Sequence, residues 1–107
     1  MRKRKIMNKF GRVITAMVTP FGKNGEIDCA QAKKLALALL DAGSDGVLVS
    51  GTTGESPTIV WEEKANLFAE IKTVVGDKGF VIAGTGDNCT ADSIEFTKEA
   101  EKIGVDG

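Results

Sequence analysis

Histidine and tyrosine are absent from the 107 residues, and cysteine, proline and tryptophan together hold five positions. Without histidine the chain has no imidazole to titrate near neutral pH or to ligate a metal. Cys29 and Cys89 stand sixty positions apart, which excludes a disulfide framework and every paired-cysteine metal spacing, so they read as two reduced small hydrophobes. No cofactor and no metal is implied. No apolar run nears the ~18 residues of a membrane span, and the basic start lacks the apolar stretch of a secretory signal. The expectation is a cytoplasmic protein with no membrane partner.

An excess of one sign of charge is also lacking, the formal net charge being −1, yet the charges are unevenly placed. Arg2, Lys3, Arg4, Lys5, Lys9 and Arg12 are six of the fourteen basic residues, and from Val13 onward eight basic residues face fifteen acidic ones. Residues 1–12 therefore read as a basic, solvated tail, with Met7 as a second candidate start. The tail has a single aromatic, Phe10, and leads into an acidic body that would repel phosphate, so no nucleic acid partner is expected.

What is present is ordinary for one globular domain, with 42% hydrophobic and 27% charged residues. Three short apolar runs begin at Val13, Val47 and Val81, thirty-four residues apart each time. Each ends in small or turn-forming residues: Thr19-Pro20, Gly51-Thr52-Thr53-Gly54 and Gly84-Thr85-Gly86. Runs without polar alternation suit parallel strands buried on both faces. After each comes a helix pattern. Asp28 with Gln31 is a capping-box signature ahead of Ala32, Leu35, Ala36, Leu39 and Leu40, and Gly43 closes that helix. A second helix is predicted from about Trp61 to Val75, ended by Gly76, and a third from near Thr90 to Gly104. Gly104-Val105-Asp106-Gly107 echoes Gly43-Ser44-Asp45-Gly46, so the sequence stops where a fourth strand is expected.

Strand and helix alternate three times with roughly thirty residues per unit, the spacing of a (β/α)₈ TIM barrel, of which this chain would carry about the first three βα units over residues 13–107. An open, doubly wound parallel sheet fits the same periodicity. In either architecture function gathers on the loops after the carboxyl ends of the strands. Gly51-Thr52-Thr53-Gly54-Glu55 is the most informative of these, because its glycines allow close backbone approach while two threonines offer hydroxyls and amides to a carboxylate or phosphate. No lysine follows its second glycine, so it is no P-loop, and Gly84-Thr85-Gly86-Asp87-Asn88-Cys89 fails the dinucleotide pattern at its last glycine. As bare glycine-rich turns, both stretches serve equally well as tight strand-to-helix connections.

The three loops in this order, Val13-Ile14-Thr15-Ala16-Met17-Val18-Thr19-Pro20-Phe21, then Gly51-Thr52-Thr53-Gly54-Glu55-Ser56, then Val81-Ile82-Ala83-Gly84-Thr85-Gly86, resemble the start of the dihydrodipicolinate synthases. The likeness runs from about Gly11 to Gly107. It implies a TIM barrel and a class I aldolase of lysine biosynthesis, in which a strand lysine forms a Schiff base with pyruvate and the enamine attacks aspartate semialdehyde. By motif match Thr52 is the threonine of a tyrosine-threonine-tyrosine proton relay, and Thr53 binds the pyruvate carboxylate through hydroxyl and amide. N-acetylneuraminate lyases and 2-keto-3-deoxy sugar acid aldolases share the superfamily, but the lyase usually has serine where Thr52 stands. The resemblance further implies a homo-oligomer, tetrameric in full-length members.

No lysine lies on the three strand runs, and the relay tyrosines are missing. The segment therefore carries part of a site and is expected to be inactive alone; a non-catalytic remnant that self-associates or pairs with a partner is the other reading. The resemblance also maps an effector pocket for lysine onto Ser56, Pro57, Trp61, Lys64, Asn88 and Asp92. A fixed ammonium at Lys64 would repel a cationic effector, which implies weak lysine feedback, although Trp61 resembles sensitive relatives. Val60 takes the N-cap position of the second helix, where Ser, Thr or Asn would pair with Glu63. Trp61 reads as a core or interface anchor.

Overall fold

The computed structural model describes residues 9–107; the basic run from Arg2 to Lys5 and the alternative start at Met7 lie outside the described residues. Strands and helices alternate as the periodicity predicts: β1 Ile14–Ala16, α1 Cys29–Asp41, β2 Gly46–Val49, α2 Trp61–Val75, β3 Phe80–Ala83 and α3 Thr90–Ile103, with a 3₁₀ turn at Ser56–Thr58 before α2. The three strands form one parallel sheet in the order β1-β2-β3. Ile14 pairs with Gly46 and Gly46 with Phe80, so the register runs straight across.

Helix ends follow from local chemistry. The Asp28 carboxylate accepts from the Gln31 N–H at 3.0 Å, satisfying one of the free donors at the start of α1. At its other end the Ser44 N–H bonds the Leu39 carbonyl and the Gly43 N–H bonds Leu40, both at 3.1 Å, with Gly43 at φ +120°. That pair of bonds is a Schellman motif, and the positive φ is why glycine sits there. Asp45 then turns back on the chain, its Oδ2 accepting from the N–H groups of Arg12 and Val13 at 2.7 and 3.0 Å. Asp106 repeats the device after α3, accepting from the Val81 N–H at 2.9 Å and from the Lys72 ammonium at 3.0 Å. The echo between the two Gly-X-Asp-Gly stretches is thus a shared way of fixing where a strand begins. Past Asp106 the Ala83 N–H donates to the Gly107 carbonyl at 2.8 Å, so the chain is already laying backbone beside β3.

The core lies between one face of the sheet and the helices. Leu67, Phe68, Ile71 and Val75 of α2 are fully buried against Val47, Val49 and Val81, with Ala32 and Ala36 letting α1 close in. Each large side chain buried this way contributes about 1.5–3 kcal/mol of transfer free energy. Strand alternation sends Ile14, Ala16, Leu48, Phe80 and Ile82 to the opposite face, where Phe10 packs edge-on against Phe80 at 5.5 Å between ring centroids. Within the described residues the helices cover one face only. This explains β1, which is shorter than the run from Val13 to Val18: it pairs on one side alone, and Val13 and Val18 remain 52% and 54% exposed.

Val60 is the N-cap of α2, with extended backbone (φ −73°, ψ 156°) and no side-chain cap bond. It is 59% exposed, so little packing depends on it. Trp61 turns inward instead, edge-on to Phe68 and stacked on Phe96 at 4.3 Å. Val60→Ser places a side-chain acceptor at the start of α2, where Val60 supplies none, and should stabilise the fold by about 1 kcal/mol; urea denaturation of the two chains measures it.

Candidate active site

Parallel pairing brings the loops after β1, β2 and β3 to one edge of the sheet. The loop after β2 is held from several directions. Ser50 ends the strand with φ +58°, a left-handed conformation unusual for a side-chain-bearing residue, and Glu55 repeats it at φ +62°. Between them the Glu55 N–H bonds the Thr52 carbonyl at 2.9 Å and the Ser56 N–H bonds the Gly51 carbonyl at 3.2 Å, closing a compact turn. From β1, the buried Thr19 hydroxyl donates to the Gly54 carbonyl at 2.8 Å. From β3, Gly84 donates to the Val49 carbonyl at 2.9 Å, and it lies so close that a Cβ there would run into the Ser50 carbonyl oxygen.

This frame leaves Thr52 and Thr53 exposed at the crest of the turn. Among the described residues neither hydroxyl, nor the N–H of Thr52, Thr53 or Gly54, makes a hydrogen bond. Free amides and hydroxyls on a fixed turn are donors for a carboxylate oxygen, supplied without a second full charge. Beneath them the Ser50 hydroxyl is buried with no partner. The structure therefore brings together both threonines singled out from the sequence.

Beside this turn lies a cleft of about 280 Å³ lined by Thr52, Ser56, Pro57, Trp61, Lys64 and Asn88, among others. Five of the six effector-pocket positions implied by the resemblance meet there; Asp92, on the first turn of α3, does not line it. Trp61 forms one wall, its indole N–H donating to Glu99 at 2.6 Å. Lys64 is only 8% exposed, and its ammonium donates to the Ser56 hydroxyl at 2.7 Å. Burial pushes its pKa below the usual lysine value of 10.5, opposed by the Asp87 carboxylate nearby. Lys33, by contrast, has its pKa raised by its hydrogen bond to Glu70.

The sequence alone missed Thr19 as a clamp, Ser50 as a kink and Lys64 as a largely buried side chain. For Lys64 a signal existed, since it falls three and four positions before Leu67 and Phe68 on the face that continues to Ile71 and Val75.

Residues 9–107 match the dihydrodipicolinate synthetase family. The chain belongs to that family. A Dehalococcoides mccartyi protein named 4-hydroxy-tetrahydrodipicolinate synthase is 64% identical over 100 residues, covering 94% of this chain and 34% of the relative. The Moorella thermoacetica protein of the same name is 59% identical over 99 residues, covering 92% of this chain and 34% of its own. Among solved structures, a dihydrodipicolinate synthase from Bacillus anthracis superposes with TM-score 0.88 at 52% identity, covering 91% of this chain and 33% of that one. The Cyanidioschyzon merolae synthase, solved with lysine bound, gives 0.89 at 51% identity, covering 92% and 34%. The chain spans about a third of the length of these family members and corresponds to their N-terminal part, so its three βα units are the first three of a TIM barrel.

No helix among the described residues is long and apolar enough to cross a membrane. Gly84→Ala would force the β3 end away from Ser50, and with it the support of the threonine turn. A destabilisation of about 1–3 kcal/mol is expected, read as a lower denaturation midpoint; an unchanged midpoint would mean that the two strand ends part at no cost.

Proposed function

We propose that this chain forms the pyruvate-binding and proton-relay part of a 4-hydroxy-tetrahydrodipicolinate synthase, which condenses pyruvate with aspartate semialdehyde in lysine and diaminopimelate biosynthesis. The supporting observation is the exposed Thr52-Thr53 pair with its unpaired hydroxyls and amides, held at the carboxyl end of β2 in a chain of this family. Thr53 takes the pyruvate carboxylate through hydroxyl and N–H. Thr52 passes a proton between two tyrosine hydroxyls, a task suited to a neutral group that donates and accepts at once. The partners are the two small substrates, in a cytoplasmic homo-oligomer that is tetrameric in full-length members, with no cofactor or metal.

The imine-forming lysine is not among these 107 residues. A Schiff-base lysine must be partly desolvated and reach the substrate from the barrel interior, and no strand among the described residues carries a lysine. Lys33, Lys72 and Lys98 are engaged with Glu70, Asp106 and Glu95, and Lys64 donates to Ser56. The chain alone should therefore show no synthase activity and gain no mass when incubated with pyruvate and reduced with borohydride. A stable pyruvyl adduct on one lysine, Lys64 included, would overturn this assignment.

In a full-length protein carrying these residues, Thr52→Val should lower kcat by about 10- to 1000-fold with little change in the KM for pyruvate. Thr53→Val should mainly raise that KM, because a charge-assisted hydrogen bond of roughly 1.5–3 kcal/mol is lost from substrate before and after the chemical step. Valine matches threonine in shape, and thermal melts should confirm that both variants fold. Steady-state kinetics then separates the roles; equal losses with unchanged KM, or no loss in either, would reduce Gly51 to Glu55 to a plain turn.

A further inference from the structure

Lys64 is the one described lysine that is largely buried, at 8% exposed, and it has no carboxylate within ion-pair distance. Its stem lies on the Leu67, Phe68 and Ile71 face of α2, where an apolar side chain would serve as well, while its ammonium lines the cleft that Asp87 also lines. What the charge gains is Ser56: its 2.7 Å bond holds the residue whose own N–H, donating to the Gly51 carbonyl at 3.2 Å, closes the turn carrying Thr52 and Thr53. The turn is otherwise clamped from β1 by Thr19 on Gly54 and braced by Thr58, whose hydroxyl donates to the Glu55 carbonyl at 2.9 Å. Lys64 is the clamp from the helix side. It reaches from the first turn of α2 across the cleft that Thr52 also lines.

We infer that Lys64 is a positioning residue for the threonine turn, acting through Ser56 and fixing the two hydroxyls relative to the sheet edge. A side chain kept for stability and one kept for positioning differ in what its removal does. Taking away a structural side chain lowers global stability and loosens its surroundings together. Replacing Lys64 by methionine keeps an apolar stem on α2 while releasing Ser56, so the turn should loosen without a matching loss of global stability. The inference rests on the proposed function only for its catalytic consequence; the geometry of the turn can be measured without it.

The test uses Lys64→Met and Ser56→Ala, singly and together, with Lys33→Met as a control on a surface ion pair. In the 107-residue chain, Lys64→Met should melt no lower than the parent while the Ser56 amide exchanges with solvent about tenfold faster, the size expected for loss of a bond to a charged group. Lys33→Met should leave that amide unchanged. In a full-length protein with this N-terminal part, Lys64→Met and Ser56→Ala should each lower kcat/KM for pyruvate about tenfold, and the double variant should be no worse than either single one. Unchanged exchange in Lys64→Met would overturn the inference. So would faster exchange that merely tracks a lowered melting point, or fully additive losses in the double variant. If the turn loosens as stated but Thr52→Val and Thr53→Val leave activity intact, the positioning role stands and the synthase reading falls.

Discussion

Strands that run parallel cannot be joined by tight turns, so each return path crosses one face of the sheet as a helix and every carboxyl end comes to the same edge. In this chain β2 is the strand on which that arrangement depends, pairing Gly46 to Val49 with β3 and Gly46 to Leu48 with β1. The helices bury Val47 and Val49 from one side. The residues just past Val49 can then be reached from both neighbours, from β1 by Thr19 and from β3 by Gly84. A central strand end is the one place where a short turn can be held on three sides, and the two free threonine hydroxyls stand there.

Most of this was legible because it rests on period and punctuation. Runs of β-branched residues starting thirty-four positions apart, separated by faces such as Leu67, Phe68, Ile71 and Val75, leave little choice but alternating strand and helix. Gly43, Gly76 and Gly104 mark the helix ends as their positive φ values require. The bounds of α2 and the start of α3 were equally readable. The length of β1 was not, because the apolar run from Val13 to Val18 records the burial of a barrel strand, whereas hydrogen bonding within this chain is offered on one side only. Thr52 and Thr53 were singled out through motif; composition would have left them as turn residues. Thr19 and Ser50 could not be found, since a hydroxyl's partner thirty-five positions away and a left-handed φ leave no trace in local pattern.

The sheet face opposite the helices bears on what the site can do. Ile14, Ala16, Leu48 and Ile82 project there in register, an apolar layer of the kind that fills a barrel interior. The family members matched here are about three times as long, and a Schiff-base lysine in such a fold would approach from that side. On the proposed reading, amides and hydroxyls on a rigid turn suffice to bind a carboxylate, while imine formation needs a desolvated amine that this face does not supply among the described residues.

The uncapped starts of α2 and α3 apart, the chain's departures from low-energy rules gather around that turn. Helix α1 has its cap and its Schellman ending, and the aspartates before β2 and after α3 satisfy backbone donors at the strand starts. By contrast, Ser50 and Glu55 both hold left-handed backbone, and the Ser50 hydroxyl is buried unpaired. Each of these opposes folding by an amount of order 1–3 kcal/mol, and they fall within six consecutive positions. Strain scattered at random would fall mostly on exposed connections such as Gly22 to Glu26, where it could relax. Strain gathered at one rigid turn persists only because the surrounding strands and helix over-determine it. The same over-determination holds in place the backbone that carries the two threonines.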